Sequence, residues 1–107
     1  MYKTSTILPE LSLPAAQIAI VGLGPGDVGE IPLAVWQLLH SGRRVILRTR
    51  RHPCVDSLGQ IADLQSCDDL YEQHDAFADV YTAIVERVLA ATESGPVVYA
   101  VPGHPWV

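Results

Sequence analysis

The chain has 107 residues, of which 49% are hydrophobic and 18% charged, with a formal net charge of −5. That length holds one domain with a modest core, and the apolar content excludes an intrinsically disordered chain. The acidic balance excludes an electrostatic nucleic-acid binder. No run of roughly 18 apolar residues is present to span a bilayer, and the first residues lack a secretory signal, so a cytoplasmic protein is expected.

Residues 1–16, with Pro9 and Pro14, read as a flexible leader, and 17–107 as the folded unit. Residues 17–21 are apolar and β-branched and end at Gly22, which fits a buried strand. The loop Gly22-Leu23-Gly24-Pro25-Gly26-Asp27 follows. A helix is predicted over 32–40, with Pro32 in its first turn. Its apolar residues go nearly all round, so it is expected to be well buried. Ser41-Gly42 ends it, with Gly42 as a left-handed cap. Residues 44–48 read as a second strand, 54–61 as a short helical stretch, and Leu64-Gln65-Ser66 as a third strand. Asp68 to Glu72 form a capped helical turn. Phe77, Val80, Tyr81, Ile84, Val85, Val88 and Leu89 then recur at helical spacing over four turns. Ser94-Gly95-Pro96 breaks that helix, and 97–101 is the last strand, running into Pro102-Gly103-His104-Pro105.

The alternation β-α-β-α-β-α-β predicts an α/β three-layer sandwich with a mainly parallel sheet. In such a sheet, loops after the carboxyl ends of strands bind ligands. The glycine loop and the Pro-Gly-His-Pro loop fall on that one edge and predict a small-molecule site.

The glycine loop departs from the dinucleotide fingerprint at its third glycine, where Asp27 would repel a pyrophosphate. The second strand leads into Arg48 rather than the acid that binds a ribose hydroxyl. Only an NADP-binding Rossmann-like domain, with Arg48 on the 2′-phosphate, survives of that reading. No Gly-Lys-Ser/Thr follows, so a P-loop is excluded. Glycines with an acid in the third place suit a ligand without phosphates, because the backbone can still approach closely. Pro25 stiffens the turn and Asp27 can cap the following amides. A tight β-α turn without any ligand is the plain alternative.

Cys54 and Cys67 make no disulfide framework and read as free buried thiols. A metal site from His52, Cys54, Cys67 and His74 lacks ligand spacing. Asp68, Asp69, Glu72 and Asp75 read as acids at a helix start, favoured by the dipole. His40, His52 and His74 read as helix-end or turn residues. Tyr71, Phe77 and Tyr81 read as core or half-buried packing. The run Arg43, Arg44, Arg48, Arg50, Arg51 reads as a solvated strand end and loop.

Taken together, the ordered motifs over 17–107 resemble the tetrapyrrole (corrin/porphyrin) methylase superfamily, the class III S-adenosylmethionine-dependent methyltransferases. The pieces are Gly22-Leu23-Gly24-Pro25-Gly26-Asp27, the helix with Leu33, Leu38 and Leu39, and the loop Gly103-His104-Pro105. The branch fused to a MazG nucleotide pyrophosphohydrolase domain is the nearest in pattern. It shares Leu47-Arg48-Thr49, His52-Pro53, Asp68-Asp69-Leu70-Tyr71-Glu72, Phe77 with Val80, Tyr81 and Ile84, and Val101 to Pro105.

The resemblance implies the first subdomain of a two-domain fold, with S-adenosylmethionine in the cleft between the domains. It implies cofactor contacts from Pro25, Gly103, His104 and Val107. Gly22, Gly24, Gly26, Asp27, Pro102 and Pro105 would shape the loops. His104 replaces the aspartate of the wider superfamily. It can donate to the cofactor carboxylate, act as a base near the substrate, or shape the turn. Methyl transfer from a sulfonium needs neither a phosphate cradle nor a metal, only an in-line nucleophile held close. No catalytic base is identified.

The resemblance also implies that 17–107 is a truncated methylase domain, incomplete for catalysis as it stands. A C-terminal MazG-like domain in the full-length protein and a second copy of the chain are its candidate partners. The clustered glutamates of a MazG catalytic helix do not occur in this sequence. A non-catalytic fragment, or a regulatory or scaffolding domain of a MazG-type enzyme, is the alternative.

Overall fold

A computed structural model describes residues 17–24, 26 and 28–103. The predicted leader 1–16 lies outside the described residues. The elements are β1 (Ile18–Gly22), α1 (Leu33–Leu39), β2 (Arg44–Leu47), β3 (Leu64–Ser66), α2 (Asp68–Gln73), α3 (Phe77–Ala91) and β4 (Val97–Val101). Short 3-10 turns occupy Val28–Glu30, Val55–Ser57 and Thr92–Ser94. The stretch expected as helix near Cys54 is therefore a single 3-10 turn.

The four strands form one sheet in the order β1-β4-β2-β3, and every pairing is parallel. Strand period places alternate residues on opposite faces. Val45, Leu47, Val98 and Ala100 face α1 and the β2–β3 connection, where they pack with Leu38, Leu39, Cys54 and Leu58. Ile46 and Val97 face α2 and α3, packing with Leu70, Val80, Ile84 and Val88. These two cores make the three layers of the predicted sandwich.

The order of the strands explains which helix covers which face. The steps β1 to β2 and β2 to β3 move one way across the sheet, and the step β3 to β4 moves back. Crossovers of one hand must then change face when the direction reverses. So α1 and the β2–β3 connection share one face, and α2 and α3 take the other.

Two expectations need correction. First, α1 buries only Leu38 and Leu39, while Leu33 in its first turn is 62% exposed. Its apolar ring is wider than the face the sheet can cover. Second, Phe77 and Tyr81 are not core residues: they are 72% and 52% exposed, and their rings stack at 6.3 Å. The buried face of α3 is Val80, Ile84, Val88 and Ala91. Phe77, Tyr81, Val85 and Leu89 form a separate exposed row four residues apart. Arg87, on the other flank of α3, binds Asp69 of α2. Ile20 of β1 is also exposed, at 57%.

Gly42 has φ +88, as expected of a left-handed residue past the helix end. Both cysteines are free and buried, one in each core. Among the described residues no helix is long and apolar enough to cross a membrane.

Candidate functional site

The parallel strands β1 and β4 deliver their carboxyl ends side by side. Leu23 N–H donates to the Val101 carbonyl at 2.9 Å. One step on, the two loops turn to meet each other. Gly24 and Gly103 form an isolated antiparallel bridge, with Gly24 N–H on Gly103 O at 3.3 Å and Gly103 N–H on Gly24 O at 3.1 Å. Such a bridge needs the backbone to reverse sense within two residues of a parallel pair. Both residues do so with positive φ, +80 at Gly24 and +69 at Gly103, a conformation that costs side-chain-bearing residues about 1–2 kcal/mol.

The two glycines differ in surroundings. A Cβ at Gly24 would rest in ordinary contact with Glu30, 3.6 Å away. A Cβ at Gly103 would meet nothing within 4 Å, and the same holds at Gly26. The bare backbone of these two residues therefore borders open space on the carboxyl edge. That is the room a ligand needs to lie against the main chain.

A third segment completes the arrangement. His52 Nδ1 accepts from the Cys54 N–H at 3.2 Å, so Nε2 carries the ring proton and donates it to the Gly24 carbonyl at 2.9 Å. The Gly24 oxygen thus receives two donors, Gly103 N–H and His52. The turn histidine expected from the sequence is in fact the tie between the β2–β3 connection and the glycine bridge. Nothing in the local sequence pairs His52 with Gly24, because a whole crossover separates them.

Next along the edge, Arg48 N–H donates to the Ala100 carbonyl at 2.8 Å, beside β4. The β4 strand lies between β1 and β2. A dinucleotide fold keeps those two strands adjacent, so that the residue after β2 reaches the ribose. Arg48 stands one strand too far away, and the NADP reading is set aside on that ground.

The acids at the start of α2 are structural. Asp68 Oδ1 accepts from Thr49 Oγ1 at 2.6 Å and Oδ2 accepts from Arg50 N–H at 2.9 Å. Burial pushes the Asp68 pKa up, but hydrogen bonds from Thr49, Arg50 and Ser66 and the Arg51 charge outweigh it and hold it below the usual carboxyl value. Asp69 takes a bidentate pair of 2.8 Å bonds from Arg87, and this pairing lowers its pKa. The expected cap on α2 is absent: its N-cap is Cys67, with no side-chain cap bond. Burial raises the Cys67 thiol and the Tyr71 and Tyr99 phenols, which stay protonated. Among the described residues, no group of three or more His, Cys, Asp or Glu is placed to hold a metal.

Of the residues predicted for the site, Gly22, Gly24, Gly26, Pro102 and Gly103 gather at this edge. Pro25, Asp27, His104, Pro105 and Val107 lie outside the described residues.

Comparison with known proteins bears on what this edge is for. The sequence model of Tetrapyrrole (Corrin/Porphyrin) Methylases matches residues 17–107. The chain is 38% identical over 94 residues to "Uncharacterized protein YabN" of Bacillus subtilis (strain 168). That alignment covers 87% of this chain and 19% of YabN, so the chain spans about a fifth of that relative's length.

Proposed function

Because the chain belongs to the tetrapyrrole methylase family, we propose that it is the N-terminal part of a class III methyltransferase domain and forms the wall of an S-adenosylmethionine cleft. The observation that carries this reading is the Gly24–Gly103 bridge at the carboxyl edge of the sheet. It joins the two loops whose motifs resemble the family's cofactor loops. The open space beside Gly103 and Gly26 fits a cofactor laid along the backbone.

When bound, S-adenosylmethionine supplies a methyl group activated on a sulfonium. The chain's own contribution is positioning. The bridge fixes the spacing of the two loops, and His52 braces it from behind. Pro25, His104 and Val107 are the proposed further contacts. A second domain closes the cleft, so the chain by itself is incomplete for catalysis. The motif set supports placing the domain in the MazG-linked branch.

A second reading has its own support. The apolar row of α3 and the exposed Ile20 present a surface suited to packing against another domain or a second copy. On this reading the chain scaffolds a MazG-type enzyme without methyl transfer.

Calorimetric titration with S-adenosylhomocysteine separates them, using this chain and full-length YabN in parallel. Binding by YabN but not by this chain is the expected result and identifies one wall of a two-sided cleft. Absence of binding in both would favour the scaffold.

A further inference from the structure

The motifs Arg48-Thr49 and Asp68-x-x-Tyr71-Glu72 have no part in the glycine bridge. The fold nevertheless brings them together. Arg48, Thr49, Arg51, Asp68, Tyr71 and Glu72 line a concave pocket of about 380 Å³. It sits at the carboxyl ends of β2 and β3, on the same edge as the glycine bridge. We propose that this pocket is an oxyanion-binding site for a small molecule bearing phosphate or carboxylate groups, and that this molecule is the methyl acceptor. The acceptor role rests on the cofactor reading above, whereas the anion preference stands on the pocket alone.

The turn that forms the pocket is built to present arginines. Both Asp68 oxygens are used internally, on Thr49 Oγ1 and Arg50 N–H, and Arg51 N–H closes the turn on Thr49 Oγ1 at 3.0 Å. Asp68 therefore holds the turn and has little left for a ligand. Arg44 pairs with Asp63 and Arg87 with Asp69. Arg48 and Arg51 belong to neither. Each guanidinium brings a planar set of donors that matches carboxylate or phosphate oxygens in pairs. The Tyr71 phenol, kept protonated by burial, adds a hydroxyl donor. The ionised Asp68, whose charge Arg51 partly balances, and the exposed Glu72 oppose an anion.

The pocket and the glycine bridge share one segment. Residues 48–51 supply Arg48, Thr49 and Arg51 to the pocket, and His52 in the same turn reaches Gly24. A ligand held by the arginines is thereby set beside the proposed cofactor loops.

The test titrates the 107-residue chain with inorganic pyrophosphate and, separately, with tricarballylate, at low ionic strength where charge pairing is least screened. One of the two is expected to saturate, and which one tells phosphate from carboxylate chemistry. Arg48→Gln and Arg51→Gln are each expected to weaken it by about tenfold or more. Glu72→Gln is expected to tighten it by about twofold. All three variants should keep the parent unfolding midpoint. Failure of both anions to saturate, or a double arginine variant that binds like the parent, overturns the pocket even if S-adenosylhomocysteine binds YabN. Anion binding with no cofactor uptake by either protein overturns the acceptor role.

Discussion

His52 donates its Nε2 proton to the Gly24 carbonyl at 2.9 Å, joining the connection after β2 to the loop after β1. The same carbonyl takes the Gly103 amide at 3.1 Å. Three segments distant in sequence are therefore clamped on one oxygen. His52→Ala is expected to cost about 1–2 kcal/mol, from the loss of two part-buried bonds, the one donated to Gly24 O and the one accepted from Cys54 N–H. Denaturant unfolding reads the loss. Faster hydrogen exchange at the Gly103 amide would locate it; an unchanged Gly103 amide would disconnect His52 from the bridge.

The glycines predict a contrast. Gly103→Ala meets no steric neighbour yet has φ +69, so it should destabilise by about 1–2 kcal/mol through backbone strain alone. Gly26→Ala also meets open space and has no positive φ, so its stability should stay within about 0.5 kcal/mol of the parent. Unfolding midpoints compare the two directly. Equal losses would mean that the positive φ of Gly103 carries no cost of its own.

The two faces of the sheet differ in coverage. Ile46 is fully buried between β2 and α3, and Ile46→Ala should cost about 2–5 kcal/mol. Ile20 is 57% exposed, and Ile20→Ala should cost under about 1 kcal/mol. A large loss at Ile20 in dilute protein would mean that another surface covers β1 in solution. In that case the Ile20 loss should shrink as the protein is diluted.

Acid should destabilise the α2 start. The folded pKa values of Asp68 and Asp69 lie below the ordinary 3.8. Their stabilisation is therefore present above about pH 4 and is lost as pH falls through the lowered values. Asp69→Asn should flatten the acid limb of a stability-against-pH curve. Retention of the full parental slope would mean that the Arg87 pair contributes nothing measurable, the fate of many exposed pairs.

Buried thiols should be slow. Cys54 and Cys67 are 1% and 0% exposed, and burial raises the Cys67 pKa. Native protein should react with a thiol reagent only at its rate of opening, and unfolded protein at once. Rapid labelling of either cysteine in the native state would contradict this packing.

The sheet was legible because its strands carry their own signal. Val97 to Val101 is an apolar, largely β-branched run between turn residues, and it falls where the sequence predicts it, as does the shorter Leu64 to Ser66, of which only Leu64 is apolar. The long helix was legible in existence, from its period, but not in which apolar row it buries. Phe77, Tyr81, Val85 and Leu89 repeat as regularly as Val80, Ile84 and Val88, and only the docking of α3 on the sheet decides which row is buried. At the candidate site, the glycines were legible through their backbone requirement. His52 was not, because its partner is a main-chain carbonyl, which any residue could supply. The pocket of Arg48 and Tyr71 was visible only as scattered motif pieces until β2 and β3 paired.

The position of β1 has a consequence for how the molecule assembles. Among the described strands β1 has a single neighbour, β4, the last to be made. During synthesis the first strand leaves the ribosome without its mate, and β2 and β3 can pair long before it is recruited. Insertion of β4 between β2 and β1 then unites the described strands, and it forms the Gly24–Gly103 bridge at the same moment. Such a late, long-range step makes for slow folding.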